Sequence, residues 1–252
     1  MDNAISRRIG ITIVVVAALG VVALGVWRFM KPALRHVDVD RSRYPVMGVD
    51  LSAHNGVPDF DSLKAFGIDF AYLKASEGHG FRDAAFARNY AASRLAGIPV
   101  GAYHFFRFDC EGRRQAANFL NAIEGCNLDL PLAIDVEEYG NPAVFDTPVV
   151  GARLEAMVAE LRAAGYKVLI YTNKNGYWRF VHDRFDVGLP EEPEVWICSF
   201  SDPPLSRRSW RFWQHSHCSK IPGVKGLVDL NTFNGSRSEW EAWTRALSDT
   251  IK

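Results

Sequence analysis

The sequence lacks an excess of charge of either sign. Its 252 residues include 29 Lys and Arg residues and 29 Asp and Glu residues, so the formal net charge is zero at pH 7. A protein that binds the phosphates of a nucleic acid usually carries a basic field or a basic patch. The charge balance gives no support for such a partner, and we expect no nucleic acid.

Motifs for cofactors are also missing from the sequence. It contains no G-x-G-x-x-G or Walker loop, so nothing indicates a bound nucleotide. It contains no C-x-x-C pair, and the segment His215-Ser216-His217-Cys218 has no second spaced pair of ligands to complete a zinc site. We therefore expect no metal and no cofactor.

Four cysteines leave two interpretations open. In an exported domain they could form two disulfides, and Cys110–Cys126 with Cys198–Cys218 is the simplest of the three pairings. A domain of this size could equally keep them as buried free thiols, because its core needs no covalent support.

A long apolar run lies near the N-terminus. Residues 9–27 carry no charge, and as a helix they would span about 28 Å, enough to cross a bilayer core. Arg7 and Arg8 precede the run, and Trp27 and Phe29 suit a membrane interface. The alternative is a cleaved signal peptide, but the run is long for one and no clear cleavage site follows it.

We therefore divide the chain into a short tail (1–8), a transmembrane signal-anchor helix (9–29), a polar tether (30–44) and one globular domain (45–252). Within that domain, apolar runs bounded by turn residues alternate with amphipathic segments, which predicts an α/β fold with a parallel sheet. Eight strands are expected, and their number suggests a compact or incomplete barrel, with an open doubly wound sheet as the alternative. The predicted strands are 46–51, 70–75, 100–105, 132–136, 168–172, 195–199, 211–215 and 227–230.

Acidic residues follow several of these apolar runs, at Asp50, Glu77, Asp135, Glu137 and Asp229. A barrel-type hydrolase builds its site from side chains at the C-terminal ends of strands. Residues i and i+2 of a strand lie on one side, about 6.6 Å apart, so Asp135 and Glu137 should share a cleft. Mutual repulsion would then separate their pKa values and supply an acid and a base. The alternative is a strand end whose acids cap a helix or bind Arg.

Structural roles are expected for several other conspicuous residues. Lys74 and Glu77 are spaced for an ion pair at the barrel mouth, and His104 is expected to be a hydrogen-bonded core residue. Trp240 and Trp243 lie in a predicted C-terminal helix and should pack against the core.

An ordered set of motifs in residues 45–243 resembles the glycoside hydrolase family 25 lysozymes, the Chalaropsis-type muramidases. The set begins with Gly48-Val49-Asp50-Leu51-Ser52 and Tyr72-Leu73-Lys74-Ala75-Ser76-Glu77-Gly78. It continues with Gly101-Ala102-Tyr103-His104-Phe105, Leu132-Ala133-Ile134-Asp135-Val136-Glu137, Ile170-Tyr171-Thr172-Asn173, Trp213-Gln214 and Val228-Asp229-Leu230-Asn231.

The resemblance implies a flattened, partly irregular β/α (TIM-like) barrel that cleaves peptidoglycan between N-acetylmuramic acid and N-acetylglucosamine. It implies Glu137 as the general acid/base, with Asp135, Asp50 and Asp229 as the other acids of the cleft. It also implies that sugar subsites are lined by three aromatic residues, Tyr103, Tyr171 and Trp213.

Two roles remain open for Asp135. It could attack the anomeric carbon directly, or it could orient the substrate's acetamido group as the nucleophile, which the resemblance favours. The alternative function is a membrane-tethered, non-catalytic peptidoglycan-binding module on the same fold, because the fold alone does not establish an activity.

Location follows from the substrate that the resemblance implies. Peptidoglycan lies outside the cytoplasmic membrane, so we expect a single-pass protein of the bacterial inner membrane, anchored through residues 9–29, with its catalytic domain on the periplasmic or cell-wall side. The positive charges beside the anchor do not fix this orientation, because two precede the run and three follow it.

Overall fold

The computed structural model describes residues 35–185, 193–200 and 210–248. The predicted anchor at 9–29 lies outside these residues. Within them, no helix combines the length and the apolar character needed to span a membrane.

Nine β-strands follow one another in the described part of the chain, and the eight predicted segments are all among them. They are β1 (Met47–Leu51), β2 (Phe70–Glu77), β3 (Phe81–Arg82), β4 (Val100–Phe105), β5 (Leu132–Asp135), β6 (Val168–Asn173), β7 (Glu194–Cys198), β8 (Phe212–Ser219) and β9 (Val228–Phe233). β1 pairs with both β2 and β9, so eight strands close into a barrel, and β3 only extends one end of β2.

Helices connect most of the strands. They are Phe60–Phe66, Phe86–Ala96, Gly112–Ala122, Thr147–Ala163, a helical stretch formed by Lys174–Gly176, Tyr177–Val181 and His182–Phe185, and the last helix, Arg237–Ser248. Local sequence explains their ends. Asp59 and Asp146 accept backbone N–H bonds at two helix starts, and Gly67 and Gly97 end helices in the left-handed conformation.

The direction of β9 differs from the prediction. Strands β1, β2, β4, β5, β6, β7 and β8 run parallel, whereas β9 is antiparallel to both of its neighbours, β8 and β1. Asp229 was expected at the C-terminal end of a strand, and it instead lies near the start of β9. Because β9 is reversed, its start lies at the same mouth as the C-terminal ends of the other strands.

Aromatic side chains fill the inside of the barrel. Phe70, Tyr72, Trp196, Phe212 and Phe233 belong to one buried cluster. Close packing requires glycine on the neighbouring strands. A Cβ atom at position 48 would lie 2.3 Å from the Phe70 ring, and one at position 101 would lie 2.4 Å from the Tyr72 ring.

The last helix closes one end of this interior. The Trp240 ring lies 5.2 Å from the rings of Phe70 and Phe233, and the Trp243 ring lies 5.6 Å from that of Phe212. The prediction that Trp240 and Trp243 serve packing is confirmed. A second, larger core fills the layer between the outer face of the strands and the surrounding helices. The last helix does not cover the opposite end of the barrel, so a site can form there.

Residues 35–44, within the predicted tether, pack against the barrel. The Val37 N–H donates to the His215 carbonyl oxygen at 2.9 Å, and His215 Nδ1 lies 3.0 Å from the Val37 carbonyl oxygen. Tyr44 is buried, with its ring 5.6 Å from that of Trp210 and 6.1 Å from that of Trp213. The packed domain therefore includes residues before position 45.

Candidate active site

A cleft of about 470 Å³ opens at the end of the barrel opposite the last helix. The carboxyl ends of the parallel strands and the start of β9 supply its walls, as expected for a barrel site. Fifteen residues line it: Asp50, Ser52, His54, Lys74, Glu77, Tyr103, Phe105, Asp135, Glu137, Tyr139, Gly140, Tyr171, Trp196, Gln214 and Asp229. The four predicted acids are therefore brought together.

Asp50 and Asp229 are paired partners in the antiparallel register of β1 and β9. Two side-chain amides hold the pair: Gln214 Nε2 donates to Asp50 Oδ2 at 3.0 Å and lies 3.4 Å from Asp229 Oδ2, and Asn231 Nδ2 donates to Asp50 Oδ2 at 2.8 Å. Both amides favour the charged form of Asp50.

The pKa values of Asp50 and Asp229 are shifted by different sets of interactions. Burial raises the pKa of Asp50, and the hydrogen bonds from Asn231, Gln214 and Asp229 oppose that rise. Burial, the negative charge of Asp50 and the hydrogen bond to it raise the pKa of Asp229 to about 9. Asp50 therefore carries the charge at neutral pH, and Asp229 carries the proton that it shares with Asp50.

Glu137 lies two residues beyond the end of β5. Burial, followed by the negative charge of Asp50, raises its pKa to about 7, while the positive charge of Lys74 acts in the opposite direction. A carboxyl group with this pKa is protonated in a large fraction of molecules near neutral pH. It can therefore donate a proton and then act as a base, which is what acid–base catalysis requires.

Asp135 is the last residue of β5 and is buried. Burial raises its pKa well above the usual range for Asp, and the charges of Glu137 and Asp50 raise it further. No group in the described part of the chain donates a hydrogen bond to its buried Oδ1 atom. A buried acceptor without a donor is costly unless a ligand supplies one.

Lys74 is the positive charge among these acids. Its Nζ lies 2.8 Å from Glu77 Oε2, so the predicted ion pair is confirmed. The same ammonium group lies 5.0 Å from the centre of the Phe105 ring and 5.6 Å from that of the Phe81 ring. Arg107 Nη1 lies 3.6 Å from Glu77 Oε1 and extends the network.

Of the three aromatic residues predicted for sugar contacts, the structure places two in the cleft. Tyr103 and Tyr171 line it, and the Tyr171 hydroxyl donates to Gln214 Oε1 at 2.8 Å. Trp213 is not brought to it. Side chains alternate along a strand, so Phe212 and Gln214 face the interior and Trp213 faces the outer core, where its Nε1 donates to the Ser199 carbonyl oxygen at 2.7 Å.

Several residues of the site were not predicted as such, among them Trp196, Gln214 and Asn231. Trp196 and Gln214 line the cleft, and Asn231 connects Trp196 to Asp50 by accepting from Trp196 Nε1 at 2.9 Å and donating to Asp50 Oδ2 at 2.8 Å. A signal was available for Asn231, because it lies two residues after Asp229 and so shares its side of a strand.

His104 has the predicted core role. It is fully buried, with Nδ1 2.8 Å from Ser76 Oγ and Nε2 3.2 Å from Gln115 Oε1. Burial lowers its pKa to about 3, so the ring is neutral. These hydrogen bonds connect β2 and β4 to each other and to the helix Gly112–Ala122 on the outer face of the barrel.

The cysteines and the histidine-rich segment form no site in the described residues. Cys110, Cys126, Cys198 and Cys218 are free thiols. No group of three or more His, Cys, Asp or Glu side chains in the described ranges is arranged to hold a metal ion. The His215 side chain instead binds the backbone of the segment that precedes the barrel.

The barrel mouth gathers four carboxyl groups, and the pKa values of Asp135, Glu137 and Asp229 are strongly raised, so the cleft can supply both an acid and a base near neutral pH. Comparison with protein families matches residues 49–224 to the family described as Glycosyl hydrolases family 25. The chain belongs to glycosyl hydrolase family 25 and is a glycoside hydrolase.

Similar proteins agree with this assignment. Lysozyme M1 of Streptomyces globisporus is 33% identical over 203 residues, which cover 76% of this chain and 68% of that protein. A family 25 glycosyl hydrolase from Bacillus anthracis superposes with a TM-score of 0.73 at 33% identity, over 84% of this chain and 98% of its own. A bacterial lysozyme from Streptomyces coelicolor gives a TM-score of 0.69 at 29% identity, over 80% and 98% of the two chains.

Proposed function

We propose that this protein is a peptidoglycan hydrolase, an N-acetylmuramidase that cleaves the β-1,4 bond between N-acetylmuramic acid and N-acetylglucosamine. Relatives named as lysozymes support the substrate class. The observation that carries the proposal is the position of Glu137, a half-buried acid with a pKa of about 7, in the same cleft as Asp135, whose buried Oδ1 has no donor among the described residues.

Glu137 is the general acid/base in this proposal. In the first step its carboxyl proton passes to the glycosidic oxygen as the bond from that oxygen to the anomeric carbon breaks. In the second step the resulting carboxylate takes a proton from the water that attacks the anomeric carbon, so the acid form is restored. A pKa near 7 suits both steps.

Asp135 assists by holding the substrate's acetamido group. Its buried Oδ1 has no donor among the described residues, and an acetamide N–H would supply one. The acetamide oxygen then attacks the anomeric carbon as the leaving oxygen departs, and its bond to that carbon breaks when water attacks in the second step. Direct attack by Asp135 is the alternative route, and it requires carboxyl groups about 5–5.5 Å apart.

Asp50 and Asp229 complete the acidic cleft. The charge of Asp50 keeps the pKa of Glu137 high, because it disfavours a second negative charge nearby. Asp229, whose proton is shared with Asp50, is able to accept a hydrogen bond from a sugar hydroxyl. Tyr103 and Tyr171 supply apolar faces and hydroxyl groups for the sugar rings.

Anchoring of this enzyme to the inner membrane through residues 9–29 is also part of the proposal, and its support is the uncharged apolar run in the sequence. The full chain should then sediment with membranes and resist extraction by alkaline carbonate. A chain beginning at residue 35 should be released. Equal release of both chains would contradict the anchor.

The experiment that tests the activity is digestion of purified peptidoglycan by the full chain in detergent, with products read by mass spectrometry. Products that end in reducing muramic acid are expected from the unmodified chain and from the exposed-residue control Glu124→Gln, but not from Glu137→Gln. Binding of the glycan without cleavage by a folded, unmodified chain would support the non-catalytic binding module instead.

A further inference from the structure

The Asn141 side chain holds the segment that carries Glu137. Asn141 Nδ2 donates to the carbonyl oxygens of Glu137 at 2.9 Å and Phe106 at 3.0 Å, and Asn141 Oδ1 accepts from the Phe108 N–H at 2.8 Å. One amide therefore joins the end of β5 to the segment that follows β4.

Two further contacts hold the turn between Glu137 and Asn141. Arg107 Nη1 donates to the Gly140 carbonyl oxygen, and Glu138 forms an ion pair with Arg179. Gly140 has a φ of +80°, and a Cβ atom there would lie 3.1 Å from the Phe105 ring. The backbone on both sides of Tyr139 is thus ordered by specific contacts.

Tyr139 itself is 86% exposed although it lines the cleft. Its backbone is thus held at the mouth while most of the ring surface faces solvent. A tyrosine side chain has only two torsions to fix, so stacking of a ligand on the ring costs little conformational entropy. Its hydroxyl group offers a hydrogen bond at the edge of the same surface.

We propose that the Tyr139 ring is the platform for the sugar on the leaving-group side of the bond that is cleaved, the N-acetylglucosamine residue that departs when Glu137 protonates the glycosidic oxygen. This inference rests on the proposed function.

The order of residues along the segment indicates on which side of the cleaved bond the Tyr139 ring lies. Asp135 is the innermost of the three at 9% exposure, and in the proposed function it holds the acetamido group of the muramic acid. Glu137 comes next and must lie at the glycosidic oxygen. Tyr139 follows at the open mouth, so the next sugar beyond that oxygen meets its ring. A sugar ring fits this surface, because its C–H face is apolar and its edge carries hydroxyl groups.

The test compares Tyr139→Ala and Tyr139→Phe with the unmodified full chain, and uses Val144→Ala as the control. Val144 is 92% exposed, close in sequence, and does not line the cleft. One substrate is a peptide-free glycan of alternating N-acetylglucosamine and N-acetylmuramic acid. The other is the β-fluoride of the disaccharide that ends in N-acetylmuramic acid, because fluoride leaves without a sugar on the Tyr139 side.

Loss of one aromatic contact should lower kcat/KM of Tyr139→Ala for the glycan by about 3- to 10-fold. The same variant should cleave the fluoride as fast as the unmodified chain. Tyr139→Phe should keep most of the activity on the glycan, and Val144→Ala should keep all of it. Equal losses of Tyr139→Ala on both substrates would overturn the inference, and so would unchanged activity of this variant on the peptide-free glycan.

Measuring the affinity for the peptide-free glycan distinguishes failure of this inference from failure of the proposed function. If the unmodified chain cleaves neither substrate, the proposed function fails, and affinity for the peptide-free glycan decides the role of Tyr139. Tighter binding by the unmodified chain than by Tyr139→Ala would then support a sugar platform. Equal affinity would overturn it.

Discussion

Asp50 and Asp229 face each other across the antiparallel pair of β1 and β9, and Gln214 Nε2 lies within 3.4 Å of a carboxylate oxygen of each. The reversed strand makes this possible, because it brings the start of β9 to the mouth where the parallel strands end. Shared protons and amide donors let two acids occupy a buried site that could not hold two negative charges.

The first prediction concerns stability. The folded protein holds a proton on Asp229 up to a pKa of about 9, whereas the unfolded chain releases it near the ordinary value of about 3.9. The unfolded state therefore binds fewer protons between these values, and stability falls as pH rises through that range. Asp229→Asn removes this effect and should raise the free energy of unfolding at pH 7 by on the order of 1 kcal/mol or more.

Urea denaturation at pH 4 and pH 7 measures the effect. The advantage of Asp229→Asn over the unmodified chain should be large at pH 7 and small at pH 4, while hydrolysis should fall. Glu124→Gln removes an exposed acid and is the control. A variant that is equally or less stable than the unmodified chain at pH 7 would show that Asp229 is not held in its protonated form.

The second prediction concerns the pH dependence of catalysis. Glu137 must be protonated to assist departure of the leaving group, so activity should fall as pH rises through its pKa of about 7. The charge of Lys74 lowers that pKa, so Lys74→Met should raise it and move the basic limb of the kcat/KM profile to higher pH.

Lys167→Met is the matched control for this profile. Lys167 is exposed and directly precedes β6, at the end of the barrel away from the cleft. Its loss should leave the basic limb in place. A basic limb that moves to lower pH in Lys74→Met, or does not move, would contradict the assignment of that limb to Glu137.

The third prediction concerns the segment before the barrel. Tyr44 is 6% exposed and packs on Trp210 and Trp213, so Tyr44→Ala leaves a cavity and should cost about 3 kcal/mol of unfolding free energy. Tyr139→Ala removes an exposed tyrosine and should cost little. Equal shifts in the two urea curves would show that residues 35–44 do not contribute to the fold.

The sequence allowed prediction of the acids for a physical reason. Asp50, Asp135 and Glu137 each follow an apolar run closely, and a carboxylate is rarely placed at the end of a buried strand without a partner or a task. The runs themselves predicted the eight strands of the barrel, because strands that are buried on both faces, such as β5 and β6, are rich in apolar residues.

Features that depend on neighbours in space could not be predicted in this way. The direction of β9 is set by its pairing with β1 and β8, which a short apolar run does not reveal. The orientation of Trp213 was hidden because β8 is buried on both faces, so its composition shows no alternation. The polar segment 35–44 looked like a tether because its few apolar side chains, such as Val37 and Tyr44, are widely spaced.

The measurement that tests the central claim most directly compares Glu137→Gln with the unmodified chain on the two substrates that differ in leaving group. If Glu137 is the proton donor, kcat/KM for the glycan should fall by about 10²- to 10⁴-fold, because the sugar oxygen needs a proton to depart. The fall for the disaccharide β-fluoride should be much smaller, because fluoride leaves with little assistance. Equal falls for both substrates would contradict the role of Glu137 as the general acid.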